Sequence, residues 1–345
     1  MKRSNFRQFP ELDELERLIY RHESRLRVQV PVRVRHQRQR FPVYALELGS
    51  SDPAAPAIGF FGGVHGNERI GTKVVLAFLH SLLEALRWDE HTQALLEKLR
   101  ILFVPIVNPV GMLRSTRSNG AGVDLMRNAP VDSASASWLI GGQRLSRHLP
   151  WYRGPAGAMQ PEAQAVVDLV RGLLQPAPFS LALDCHSGFG ARDRIWFPYA
   201  HTRAPFPHLA EVFALRNLFR LNYPHHVMYR IEPQADNYMT HGDLWDYLYE
   251  QGRQAADQST SKLFLPLTLE IGSWLWVRKN PSQLFRREGL FNPLVPHRRR
   301  RILRTHLLFM DFLLRAVASW RNWLPEQQER DELALRARQH WPPPA

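Results

Sequence analysis

Ala57-Ile58-Gly59-Phe60-Phe61-Gly62-Gly63-Val64-His65-Gly66-Asn67-Glu68 decides how this chain is read. The stretch opens as an apolar run of strand length and turns through Gly62 and Gly63. It then passes into a helical pattern from Ile70 to Leu86, with Val74, Val75, Phe78, Leu79, Leu82 and Leu83 at helical spacing. His65 and Glu68 stand three apart at that junction, so one turn of chain can bring both to a single point. Zinc wants about four nitrogen, sulfur or oxygen ligands, and a catalytic site draws three of them from the protein. The pair therefore reads as part of a metal site. His208-Leu209-Ala210-Glu211 repeats the spacing, but no glycine turn precedes it and no partner histidine follows a nearby buried strand. It reads as a solvated helix face.

Working outward, Ser180 to Cys185 (SLALDC) is a second short apolar run, and it delivers His186 ahead of Ser187-Gly188-Phe189-Gly190. His186 is the natural third ligand, which gives one Zn2+ held by His65, Glu68 and His186. Leu263 to Leu269 (LFLPLTL) is a further buried-strand pattern and ends on Glu270. A carboxylate there is costly to bury unless it has a partner or a task, so Glu270 is the candidate general base.

Val28 to Val34, Phe41 to Leu48 and Ile101 to Val107 also read as strands, and Pro161 opens a helix through Leu174. This alternation predicts an α/β fold, a mixed, mostly parallel twisted sheet with helices on both faces. Ligands of such sheets sit beyond the carboxyl ends of the strands, where His65, His186 and Glu270 all fall. The chain has 345 residues and 44% hydrophobic content, enough for a large core. The zinc constellation spans too much of it for a clean division into two domains. The expected organisation is a docking helix within residues 1–27, a catalytic domain over residues 28–323 and a tail over residues 324–345. The docking helix, Glu11 to Arg25, puts Leu12, Leu15, Leu18 and Ile19 on one face. Trp341 through Pro344 is expected to be mobile.

Between the first strand end, at His65, and the second, at His186, lie Asn108-Pro109-Val110-Gly111, Arg114-Ser115-Thr116-Arg117 and Gly122-Val123-Asp124-Leu125-Met126-Arg127-Asn128. With the HxxE pair, the strand-borne histidine and the strand-borne glutamate, this order resembles the zinc metallocarboxypeptidases of the carboxypeptidase A type, from about Ala57 to Glu270. The succinylglutamate desuccinylase and aspartoacylase branch shares much of the set. The resemblance implies that His65, Glu68 and His186 bind zinc and that Glu270 acts as general base, later passing the proton to the leaving nitrogen. It implies that Arg117, or the nearby Arg114, polarises the scissile carbonyl. Asp124 would orient His65 through its second ring nitrogen, and Arg127 would grip a terminal carboxylate. Tyr238, ahead of Gly242-Asp243-Leu244-Trp245-Asp246-Tyr247, matches the family's mobile tyrosine. One departure stands out: Met126 occupies the position where the family usually has Asn, and a thioether cannot donate a hydrogen bond to a carboxylate.

The implied activity is zinc-dependent hydrolysis of a peptide amide at or near a C-terminal residue. Deacylation of an N-acyl amino acid at the same site is an alternative substrate class, and a non-enzymatic basic binding protein on an inactive hydrolase frame is an alternative of another kind. Walker, GxGxxG, GxSxG and HExxH patterns are absent from the sequence, which removes the enzyme classes they mark.

The formal net charge is +13. Arg298, Arg299, Arg300 and Arg301 precede a helical run from Ile302 to Trp323, where positive charge opposes the helix dipole. They read as a solvated basic face or a contact for an acidic partner. Nucleic acid is not expected, because no recognised binding motif accompanies the charge. No stretch approaches the roughly 20 apolar residues that span a bilayer as a helix, and the charged N-terminal helix does not fit the usual signal peptide. Cys185 is the sole cysteine, so no internal disulfide forms and a cytoplasmic location is expected. Strand neighbours face opposite ways, so Cys185 reads as packing beside His186.

Overall fold

The chain enters through α1 (Pro10–Arg21) and a hairpin of β1 (Arg27–His36) and β2 (Gln39–Gly49). It continues through β3 (Ala57–Gly62), α2 (Arg69–Ala85), α3 (Glu90–Glu97), β4 (Arg100–Val104), α4 (Pro109–Arg114), α5 (Pro161–Leu169) and β5 (Phe179–Ser187). The second half comprises β6 (Arg194–Phe197), α6 (Leu209–Asn222), β7 (Arg230–Pro233), α7 (Leu244–Ala256), β8 (Leu263–Ile271), α8 (Trp274–Lys279), α9 (Pro296–Ala318) and α10 (Gln327–His340). This is a computed structural model, and it describes residues 9–138, 140–256, 262–286 and 288–342.

Among the described residues the strands form one eight-stranded sheet in the order β1-β2-β4-β3-β5-β8-β6-β7. The central strands β4, β3, β5 and β8 run parallel, while β1, β2 and the β6–β7 pair join antiparallel at the edges. The fold is α/β with a mixed sheet. Every residue of β3 and β5 is buried, as expected for central parallel strands covered on both faces. Their two-residue period divides the apolar side chains between two cores. Phe60, Leu181 and Leu183 face the layer of α1, α2 and α9, whereas Phe61 and Ala182 face the layer of α5 and α7. Each such buried Phe or Leu side chain contributes about 1.5–3 kcal/mol relative to exposure. Cys185 belongs to the first core and is buried among apolar groups.

Several expectations need correction. The strand from Ile101 stops at Val104, because Pro105 has no N–H to extend the ladder. The helix opened by Pro161 is α-helical to Leu169 and widens into a π turn over Val170–Leu174. α9 starts at Pro296, so the four arginines lie within its first turns, and it ends at Ala318 rather than Trp323. Proline at the first helical position lacks an N–H that would otherwise be unpaired. Glu211 is not solvated: it is buried and paired with Arg330 of α10 at 2.6 Å. Trp341 is likewise seated against Phe197 and Phe213, and its indole N–H donates to the Ile231 carbonyl at 2.8 Å. Of the segment read as mobile, Pro343 and Pro344 lie outside the described residues. Among the described residues no helix is long and apolar enough to cross a membrane.

Candidate active site

The carboxyl ends of β3, β5 and β8 meet on one edge of the sheet, and the parallel register aligns His186 with Glu270. Beyond β3 the chain turns tightly, with the Glu68 N–H donating to the His65 carbonyl at 3.2 Å before α2 begins. Only glycine fits at position 66, where a Cβ would lie 2.0 Å from the Gly111 carbonyl carbon. Asn108 binds this turn to α4: its Oδ1 caps the Gly111 N–H at 2.8 Å and its Nδ2 donates to the Val64 carbonyl at 3.2 Å. From the other side Asn292 accepts from the Ile70 N–H at 2.9 Å and donates to the Asn67 carbonyl at 2.8 Å.

These constraints aim three donors at one point. His65 Nδ1 lies 3.1 Å from His186 Nδ1 and 2.9 Å from Glu68 Oε1, and His186 Nδ1 lies 3.2 Å from Glu68 Oε2. The three side chains are buried, with all the prospective ligand atoms within 4.8 Å of one another. Each imidazole turns its other nitrogen to a buried carboxylate. His65 Nε2 meets Asp124 Oδ1 at 3.0 Å, and His186 Nε2 meets Asp184 Oδ2 at 2.7 Å. A histidine that donates its far N–H to an acceptor keeps a lone pair on the near nitrogen, the arrangement that metal-bound histidines adopt. Two Nδ1 atoms and a carboxylate also match the donor chemistry of zinc. The residues present fit the metal.

The charges are arranged accordingly. Burial alone would raise the Glu68 carboxyl, but His65 and His186 hold it well below the usual range. Asp124 is likewise held far down against its burial by Arg117, His65 and Arg127. Arg117 donates from Nε to Asp124 Oδ2 at 2.8 Å and from Nη1 to Glu68 Oε1 at 3.1 Å, and despite burial these anions raise its pKa. Burial and the nearby Glu68 charge push Glu270 up to about 8, although its Oε1 accepts the Phe189 N–H at 2.9 Å.

A cavity of about 380 Å³ brings these groups together with Arg127, Met126 and Tyr238. Arg127 is buried, with Nε donating to the Ile140 carbonyl at 3.3 Å and Nη1 3.6 Å from Asp124 Oδ2. Gly242 fixes its backbone from below, since a Cβ there would lie 1.9 Å from the Arg127 carbonyl oxygen. Tyr238 stacks at a tilt on Phe189 with centroids 5.4 Å apart, and burial raises its phenol to about 12. Arg114, by contrast, is exposed at the end of α4 and does not line the cavity. Of the two arginines weighed from the sequence, Arg117 is the one that faces the site.

A model of the zinc carboxypeptidase family matches residues 36–271, more than half of the chain. The chain belongs to the zinc carboxypeptidase family. Its relatives include a metallocarboxypeptidase A-like protein of Trichophyton verrucosum, 32% identical over 38% of this chain and 32% of that protein. Carboxypeptidase B of Canis lupus familiaris is 25% identical over 61% of this chain and 52% of its own length. Among solved structures, carboxypeptidase A from Helicoverpa armigera superposes with a TM-score of 0.62 at 18% identity, covering 89% of this chain and 72% of that one. That last likeness concerns the fold. The chain spans between about a third and about a half of the lengths of these two curated relatives.

Two positioning groups of this carboxypeptidase-like site escaped the sequence reading. Asp184 lay inside a run taken as apolar, yet it stands two residues before His186 and so shares its face of β5. Asn292 clamps the metal-binding turn from a loop more than two hundred residues away, and no local pattern marks it.

Proposed function

We propose that this protein is a zinc-dependent hydrolase that cleaves a peptide amide at or near a C-terminal residue. The observation that carries this reading is the convergence of His65 Nδ1, His186 Nδ1 and the Glu68 carboxylate beside Glu270, Arg117 and Arg127 in one cavity. When bound by His65, Glu68 and His186, zinc supplies a Lewis acid that polarises a carbonyl and lowers the pKa of a water molecule to about 7.

The chain's own side chains account for the rest. Arg127 Nη2 bonds to no described residue, so it can pair with a substrate's terminal carboxylate and set which amide enters. Arg117 Nη2 is also uncommitted and can donate to oxygen as negative charge develops on it, which counts most where water is excluded. Glu270 keeps Oε2 free while the Phe189 N–H holds Oε1. It takes a proton from the attacking water and returns it to the departing nitrogen, help worth about two to four powers of ten in rate. A bound dication would lower the raised pKa of Glu270, keeping it ionised as a base.

A second reading uses the same site. Met126 lines the cavity and offers a terminal carboxylate no donor, so the carboxylate clamp rests on Arg127 for a peptide and an N-acyl amino acid alike, and the latter is the alternative substrate. Incubating the zinc-loaded protein with peptides bearing free or amidated C-termini and with N-acyl amino acids separates the two. Release of the last residue from free-ended peptides only is the expected result, and exclusive turnover of N-acyl amino acids would assign the deacylase. Failure to hydrolyse any of them, with zinc bound, would overturn the enzymatic reading.

A further inference from the structure

A cleft of about 1000 Å³, larger than the catalytic cavity, lies apart from it. It opens between α6, the segment leading into β7 and the end of α10, and its lining includes Arg192, Arg216, Arg220, Arg230, His226 and His340. The acids that line it are Glu232 and Asp236. Four arginines against two acids leave a formal charge of +2 with the histidines neutral, and Glu232 is already shared by Arg194 and Arg230.

Arg216 and Arg220 are the unusual feature. They stand four apart on one face of α6, where like charges destabilise a helix. No carboxylate answers either: Arg216 donates to the neutral Asn217 side chain at 2.9 Å, and Arg220 pairs with no described residue. Burial and the Arg220 charge lower the Arg216 pKa, and burial with both arginines lowers that of His340. Rings line the cleft as well. His226 stacks on Tyr229 at 4.9 Å and 27°, Phe219 packs against His226 at 5.2 Å, and both ring nitrogens of His226 are buried without a hydrogen-bond partner. A cavity at the top of the usual range for small molecules thus combines guanidinium forks suited to phosphate with a lining that includes aromatic rings.

We propose that this cleft binds a nucleotide-like anion, its phosphates on Arg216 and Arg220 and its base against the His226 ring on the side away from Tyr229. None of these residues lines the catalytic cavity, so the proposal stands apart from the hydrolase reading. The test is calorimetric titration of the full-length protein with adenosine diphosphate, inorganic pyrophosphate and a hexaglutamate peptide.

Adenosine diphosphate is expected to bind at least tenfold more tightly than pyrophosphate. The Arg216→Ala/Arg220→Ala pair is expected to weaken it at least tenfold, the factor for losing one charge-assisted hydrogen bond. An Arg299→Ala/Arg300→Ala pair on α9 should change it less than twofold, and thermal melts would verify that both variants fold. Absence of binding, or equal loss in both variants, would overturn the site. Pyrophosphate binding as tightly as the nucleotide would remove the His226 ring from the proposal. Tighter binding of the peptide would replace the nucleotide with an acidic protein.

Discussion

Asp184→Asn keeps the size of a buried side chain and removes its charge. Asp184 Oδ2 accepts from Trp245 Nε1 at 2.9 Å and meets His186 Nε2 at 2.7 Å. The indole can only donate, so it contributes no lone pair to this exchange. The carboxylate therefore obliges His186 to carry its proton on Nε2 and to present Nδ1 as a metal ligand. It also raises the His186 pKa well above its ordinary value, against the opposing effect of burial. An asparagine oxygen in the place of Oδ2 accepts from both donors without the charge, and an asparagine turned the other way presents its amide nitrogen to both. If its amide nitrogen faces His186, the tautomer preference reverses and Nδ1 becomes the protonated atom. Outer partners of metal-bound histidines are typically worth about 10–100-fold in metal affinity. Asp184→Asn should therefore weaken zinc binding by about 1.4–2.8 kcal/mol. Competition with a chromogenic chelator at neutral pH measures this directly, and urea unfolding of the zinc-free protein shows how much of the change is lost stability. Zinc affinity within twofold of the parent protein would refute the argument that the Asp184 carboxylate supports zinc binding through His186.

Glu270→Gln should retain one equivalent of zinc by metal analysis while turnover falls about two to four powers of ten, the usual share of a general base; normal turnover would remove Glu270 from that role. Met126→Asn adds a donor beside Arg127, and should raise kcat/KM about tenfold for peptides with a free C-terminus and leave amidated ones unchanged, as one charge-assisted hydrogen bond implies. Gly66→Ala forces a Cβ to 2.0 Å from backbone on the adjoining segment, so it should cost about 3 kcal/mol of stability, as overpacking does, and lower zinc content. A pH effect comes from His306 of α9 and Asp193, 3.6 Å apart. Burial lowers His306 from 6.5 to about 3, so its contribution is full above 6.5 and declines as pH falls toward 3. Burial raises Asp193 from 3.8 to about 6, so its contribution is present below 3.8 and lost as pH rises through 6. The two slopes oppose between pH 4 and 6, and Asp193→Asn should unmask a loss of about 1.4 kcal/mol per unit on acidification. Parallel urea-unfolding curves for the variant and the parent across that range would contradict it.

The sheet was readable because its central strands are buried on both faces and so carry nearly unbroken apolar runs, as in Ala57 to Phe61 and Leu263 to Leu269. α2 was readable for a related reason, since Val74, Val75, Phe78, Leu79, Leu82 and Leu83 face one core at helical spacing. α10 had no such signature. Gln327–His340 is polar along most of its length, and it is held by a few separate anchors, the Arg330 bridge to Glu211 and the seating of Trp341. Those anchors lie in partners that become neighbours only once α6 and β7 are in place. The same dependence explains why Glu211 looked solvated, since the element that covers it was itself taken for a tail.

At the site, a polar group was legible when it broke a pattern at the end of an element. His65 follows a buried strand, His186 and Glu270 lie near the ends of two others, and there a polar side chain meets the crevice beyond the sheet. Asp184 breaks the pattern inside β5, where apolar neighbours on both sides disguised it, although the two-residue period already placed it on the face of His186. A carboxylate two residues before a ligating histidine on a fully buried strand is thus a local signal that could have been used, because burial leaves that carboxylate few other partners. Asn292 offers no such signal. Its two bonds to the metal-binding turn connect residues brought together by the sheet and by α9, and their value lies in backbone groups of Asn67 and Ile70 that carry no side-chain identity at all. The part of the site that escaped the reading is therefore its support. His65, His186 and Glu270 declare themselves by chemistry at or just past strand ends, Arg117, Arg127 and Tyr238 through the family resemblance, and the groups that hold them in place are specified by the completed fold.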